Sequence, residues 1–139
     1  MTTVDTLTAA VEAHDPYLQG HAARVTVYAE GLARRLGWSA AQLDALRLGC
    51  ALHDVGKLVI PEPVLRRRGA LSPEDVAELR RHPVEGVRLI AGSEQFRKAL
   101  PYVLFHHERW DGDGYPTGRR GGQIPIEGRL LASPTPSTR

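Results

Sequence analysis

Six histidines punctuate this chain of 139 residues: His14, His21, His53, His82, His106 and His107. Two of their settings are chemically loaded, because His53 is followed directly by Asp54 and His106 by His107. Imidazole and carboxylate together suit divalent iron, manganese or zinc, and a carboxylate beside a histidine can bridge two ions. The adjacent pair His106–His107, placed at the end of a helix, can serve both ions at once. Two metals roughly 4 Å apart would lower the pKa of a shared water and clamp a phosphoryl oxygen during in-line attack. A centre of that kind hydrolyses a phosphodiester with no protein nucleophile. The sequence holds no G-x-S-x-G elbow and no CxxC pair, so serine acyl chemistry and a zinc ribbon fall away.

Helices must position these side chains. Val25, Tyr28, Ala29, Leu32 and Leu36 recur at helical spacing, with Gly37 as a stop, and predict a helix from about Tyr17 to Leu36. Ser39 caps a second helix, whose apolar Leu43, Leu46, Ala51 and Leu52 lead into His53 and Asp54. Ser72, Pro73 and Asp75 have the pattern of a third start, which His82-Pro83 interrupts before a short helix to about Ala91. Gln95 to His107 is helix-like but carries Pro101, which predicts a kink or a restart. From Glu108 to Pro125 the composition turns to Gly, Asp, Arg and Pro, that of an ordered loop. Strand-like alternation is nearly absent, so the expected fold is all-α.

Composition narrows the function further. With 42% hydrophobic and 24% charged residues the chain fits one domain with a single core. A formal charge of +2 is too small to argue for duplex nucleic acid, whereas a small anionic ligand fits. No apolar run approaches the roughly 18 residues of a membrane span, and MTTVDTLTAAVEAHD lacks a basic start followed by an apolar stretch. A cytoplasmic protein with no membrane partner is the expectation. Cys50, the single cysteine, lies in LRLGCALHD and reads as a packed core thiol. Arg66, Arg67 and Arg68 read as a solvated basic run.

The segments HDPYLQGHAARV, LHDVGK, RRHPVEG and HHERWDGDGYPTGRRGGQIP stand in this order between residues 11 and 132. In order and spacing they resemble the HD-GYP branch of the HD superfamily of metal phosphohydrolases. The resemblance implies an HD-type helical domain carrying a Gly-rich GYP loop. It makes His21, His53, Asp54, His82, His106 and His107 the ligands of two divalent transition metal ions, iron or manganese. Lys57 would contact the scissile phosphate or assist the leaving oxygen, beside a catalytic Asp54. Gly112, Gly114, Tyr115 and Pro116 form the GYP loop, expected to face the substrate, with Tyr115 either touching a guanine or pinning the loop to the core. Trp110 is expected to be a loop anchor, and His14 matches no ligand position and is left as a surface residue. The activity implied is hydrolysis of cyclic di-GMP to linear pGpG and onward to GMP, with a different cyclic dinucleotide such as cyclic GMP-AMP as the runner-up substrate. The rival is an inactive module that binds a cyclic dinucleotide or a diguanylate-cyclase-type partner through the GYP loop.

Two departures from the family pattern stand out. Some members place a metal-supporting Glu one helical turn before the first His, where this chain has Tyr17, so two metals are expected and not three. The family also continues past the G-R-L-L-A segment with a helix whose first Asp is a ligand, whereas residues 133–139 read SPTPSTR. The expectation is a partial domain over 1–132 with its C-terminal helices missing, a non-family tail, and poor catalysis as written. The 16 Arg against 2 Lys point to GC-rich codons. With such codons, reading the tail one base earlier yields an apolar residue followed by A-D-A-V-D-A, so a reading-frame change is the expected origin of the tail.

Overall fold

Three of the helices begin where a side chain satisfies amides that no helical turn reaches. In the computed structural model, which describes residues 2–67 and 69–132, Thr2 caps α1 (Thr3–His14), Ser39 caps α3 (Ala40–Leu52) and Ser72 caps α5 (Pro73–Leu79). All three are reciprocal boxes, closed by Asp5, Gln42 and Asp75, of a kind that stabilises by about 1 kcal/mol each. The remaining helices are α2 (His21–Arg35), α4 (Glu62–Leu65), α6 (His82–Ile90), α7 (Leu100–Phe105) and α8 (Ile126–Leu131). Short 3-10 turns at Pro16–Leu18, Val55–Val59, Glu94–Ala99 and Gly121–Gln123 join them, and no strand occurs among the described residues. The fold is all-α, as expected. The tail 133–139 and the reading-frame expectation attached to it lie outside the described residues, as does Arg68.

Two features of the N-terminal part differ from the sequence reading, and the restart expected at Pro101 is met. The helix expected from Tyr17 starts only at His21, because Gly20 adopts the left-handed conformation at φ 73°, which breaks the run and turns the chain. Tyr17 therefore sits in a 3-10 turn and not one helical turn before His21. The N-terminal segment, read above only for what it lacks, forms the twelve-residue α1. At Pro101 the chain restarts: a 3-10 turn ends at Ala99 and α7 begins with the proline in its first turn, where its missing N–H costs nothing.

Helix α3 runs through the middle and buries residues on two sides. Leu52 joins Val11, Leu18, Val55, Ile90, Phe96 and Val103 in one cluster. Leu43, Leu46 and Cys50 join Ala29, Ala33, Tyr102 and Leu130 in a second. Burying each leucine stabilises by roughly 1.5–3 kcal/mol, so α3 is held from both sides. Its C-terminal end, which carries His53, is thereby fixed. Cys50 is fully buried, and burial pushes its thiol up to about 12, consistent with a packed core group. The turn at Val55–Val59 presses against α6, with Gly56 so close that a Cβ there would lie 1.8 Å from the His82 carbonyl oxygen. That contact brings the His53–Asp54 end of α3 against the start of α6.

Candidate metal centre

Four helix ends and one loop converge on Asp54. His53 and Asp54 follow α3, His82 opens α6 just past α5, His106 and His107 follow α7, and His21 opens α2. Three of the histidines are oriented by the same local bond. Nδ1 of His53 meets the Cys50 carbonyl at 2.6 Å, Nδ1 of His82 the Leu79 carbonyl at 2.7 Å, and Nδ1 of His106 the Val103 carbonyl at 2.9 Å. A carbonyl only accepts, so each Nδ1 carries the proton and donates, which leaves Nε2 with its lone pair. Those Nε2 atoms face Asp54: His53 at 3.0 Å from Oδ2, His82 and His106 each at 3.3 Å from Oδ1. His21 Nε2 lies 3.7 Å from Oδ2.

This arrangement fits a cation. Lone pairs and carboxylate oxygens that face one another at hydrogen-bond distance repel unless positive charge lies among them. Nε2 of His82 and Nε2 of His106 are 3.2 Å apart, and those of His53 and His21 3.4 Å apart. The donors form two groups that share Asp54: His21, His53 and Asp54 in one, and Asp54, His82, His106 and His107 in the other, with ligand atoms within 4.8 Å of one another in each. His53, Asp54, His82 and His106 are buried, while the His21 side chain is 34% exposed. The His21 side borders a small cleft lined by Glu12, His21, His53 and Asp54 among others.

Electrostatics agree with a site that keeps ligands unprotonated. Burial lowers His106 to about 4, and burial with the His106 and His82 charges drives His107 far lower still. His21 is lowered by burial and by His53. Burial also works against Asp54 ionising, but the charges of His53 and Lys57 outweigh it and hold the carboxyl well below its usual range. His53 is the exception: burial opposes its charge, and contact with Asp54 and the Cys50 carbonyl carries it upward.

The GYP loop folds back onto this cluster. The Tyr115 amide donates to the His107 carbonyl at 3.2 Å, and the Tyr115 ring stacks on the His107 ring at 4.9 Å with 13° between planes. The Arg80 guanidinium covers Tyr115 at 5.1 Å. Gly114 packs so tightly that a Cβ would lie 2.3 Å from the Arg109 amide nitrogen, and Gly112 turns the chain at φ 87°. Pro116 follows a cis peptide bond and is exposed. Trp110, expected as an anchor in the core, is 66% exposed and meets the loop at Gly121, through its ring edge and its backbone carbonyl, which accepts from the Gly121 amide.

Three acidic or basic partners escaped the sequence reading. Glu108 is buried and its carboxylate accepts from the Thr117 amide and hydroxyl, each at 2.8 Å, and from the Arg119 amide at 3.1 Å, stapling the loop shut. Asp15 is buried against Lys57, with Nζ to Oδ2 at 3.3 Å. His14 is partly buried and not simply solvated, since its Nε2 donates to the Ile60 carbonyl at 2.6 Å and ties α1 to the segment before α4. Only Glu108, in the HHER segment, had a local signal. In the basic run, Arg66 pairs with Glu62 and Arg67 with Asp75.

Known proteins resemble this chain over most of its length. The family model of the HD domain matches residues 5–133. The chain is 37% identical over 125 residues to a 3'3'-cGAMP-specific phosphodiesterase 2 of Vibrio cholerae, covering 88% of this chain and 24% of that protein. It is 35% identical over 132 residues to the cyclic di-GMP phosphodiesterase response regulator RpfG of Xanthomonas campestris, covering 94% and 35%. It is 33% identical over 123 residues to a cyclic di-GMP phosphodiesterase of Thermotoga maritima, covering 87% and 33%. The chain thus spans about a quarter to a third of the length of these relatives. With the HD pair at the shared carboxylate, the second histidine pair opposite it and the GYP loop folded over both, the chain belongs to the HD domain family, in its HD-GYP branch.

Proposed function

We propose that this chain hydrolyses a cyclic dinucleotide, cyclic di-GMP first, opening it to linear pGpG at a centre of two divalent transition metal ions, iron or manganese. The observation that carries this reading is the division of Asp54, whose Oδ2 serves His21 and His53 while Oδ1 serves His82 and His106. A carboxylate that splits its oxygens between two histidine groups is what a bridging ligand requires. Bound ions would supply Lewis acidity and a water of lowered pKa. His21, His53 and Asp54 would hold one ion, and Asp54, His82, His106 and His107 the other. Lys57, buried three residues from Asp54, would offset negative charge that develops on the phosphoryl group. Gly112, Gly114, Tyr115 and Pro116 would border the substrate, with Tyr115 already seated on His107. Relatives named for cyclic di-GMP and for 3'3'-cGAMP support the substrate class.

The test is chromatographic. Protein purified under reducing, iron-replete conditions is analysed for metal, then incubated separately with cyclic di-GMP and 3'3'-cGAMP. Appearance of the linear dinucleotide, lost in His53→Ala and Asp54→Ala, is the expected result. Metal bound and ligand bound without turnover would instead favour a binding module that engages a cyclic dinucleotide or a diguanylate-cyclase-type protein. Absence of metal would overturn the proposal.

A further inference from the structure

Lys57 and Asp15 form an ion pair in which both side chains are 1% exposed, and their separation in sequence is 42 residues. Taking two charges out of water is costly, and a buried pair is retained without loss only where its geometry is fixed. Here it is fixed at both ends. Asp15 closes α1, its amide donating to the Val11 carbonyl at 2.9 Å, and its second carboxylate oxygen accepts from the Tyr17 amide at 3.1 Å. Lys57 sits in the turn after Asp54, with its amide donating to the Asp54 carbonyl at 2.9 Å. His14, next to Asp15, clamps the same junction through the Ile60 carbonyl. The ammonium lies near enough to the cluster for its charge to bear on His21, His53, Asp54 and His107.

We infer that Asp15 is a positioning residue, which holds the Lys57 ammonium in one place beside the histidine–aspartate cluster. An ammonium on a flexible four-carbon stem, left without a partner, would swing towards water. Asp15 prevents this, and it takes one of three N–H bonds, so donor capacity remains for a phosphoryl oxygen. The inference rests on the phosphodiesterase reading above.

The chain has only two lysines, Lys57 and Lys98, so its side-chain ammonium spectrum is simple. Nitrogen-15 NMR of the full chain should show a slowly exchanging Lys57 signal, assigned by its absence in Lys57→Met and lost in Asp15→Asn. With manganese and cyclic di-GMP, Asp15→Asn should lower kcat roughly 10- to 100-fold, as loss of an outer supporting partner does. KM should move by less than about threefold. The double variant Asp15→Asn/Lys57→Met should be no slower than Lys57→Met alone, because Asp15 acts only through the lysine. If Asp15→Asn does not fold, Asp15→Glu takes its place, and the displaced carboxylate should shift the Lys57 signal and slow turnover. A Lys57 signal and kcat unchanged in the Asp15 variant, or losses that multiply in the double variant, overturn the inference. If the unaltered chain opens neither dinucleotide, the phosphodiesterase reading fails, and the ammonium signal alone still decides whether Asp15 holds Lys57.

Discussion

Replacing Gly56 with alanine should damage the metal centre through the backbone, without touching any ligand. A Cβ at this position would meet the His82 carbonyl oxygen at 1.8 Å, the Gly86 nitrogen at 2.6 Å and the His82 carbonyl carbon at 2.7 Å. All three are backbone atoms of α6, so no side chain can turn aside. Ordinary contact begins near 3.4 Å, and the turn and α6 would have to part by roughly 1.5 Å. That movement carries His82 away from Asp54, now 3.3 Å from it, whereas metal–ligand distances tolerate only about 0.2 Å. Overpacking of this kind costs about 1–3 kcal/mol or somewhat more. For a chain of this size that lowers the melting temperature by roughly 5–15 °C. The assay is a thermal melt of metal-free protein, followed by manganese titration. Gly31→Ala is the control, since its Cβ meets nothing within 4 Å and lies inside α2, where alanine should stabilise by up to about 1 kcal/mol. A Gly56→Ala protein that melts and binds manganese like the parent would refute the reasoning.

Three further outcomes follow from the same geometry. Asp54→Asn removes the charge both histidine groups share, so metal affinity should drop roughly 100-fold or more, measured by elemental analysis after dialysis; retention of metal would count against a bridging role. Glu108→Gln leaves loop amides facing an NH2 group, which costs about 1–3 kcal/mol, and hydrogen exchange should rise over residues 108–124 but not in α3. Metal-free protein should lose stability as pH falls from about 6.5 towards 4, because the unfolded chain protonates its histidines while His106 resists until about 4, with His107 and His21 lowered also. Each such group contributes about 1.4 kcal/mol per pH unit in that window. His53, raised, works the other way, its contribution being present at low pH and lost as pH rises through its folded value. A melting temperature that climbs between pH 7 and 5 would show that the lowered histidines do not dominate.

What could be read from sequence was whatever is written locally. The boxes Ser39–Gln42 and Ser72–Asp75 lie three residues apart, and both helices begin where they indicate. His53, Asp54, His106 and His107 were legible as adjacent pairs, His21 and His82 only through the family resemblance, and the structure gathers the five histidines around the Asp54 carboxylate. The start of α2 was misjudged because apolar spacing continues to Tyr17, and only the left-handed Gly20 ends it. Asp15 was not legible at all, since its partner is 42 residues away and DP reads as an ordinary turn. His14 failed for the same reason, its partner being a backbone carbonyl 46 residues away.

The placement of histidines at helix ends has one physical cause. The last carbonyls of a helix have no intrahelical donor, and a histidine just beyond the end can supply one from Nδ1. His53, His82 and His106 each bond the carbonyl three residues back, at the ends of α3, α5 and α7. The same bond that closes the helix fixes the tautomer and aims Nε2 at Asp54, so stability and ligand geometry come from one interaction. His21 follows the left-handed Gly20, with no helix ending three residues before it, and it is the more exposed candidate ligand, farther from Asp54 at 3.7 Å. The three histidines so bonded are buried and held by their own helix ends, whereas His21 borders the cleft beside Glu12.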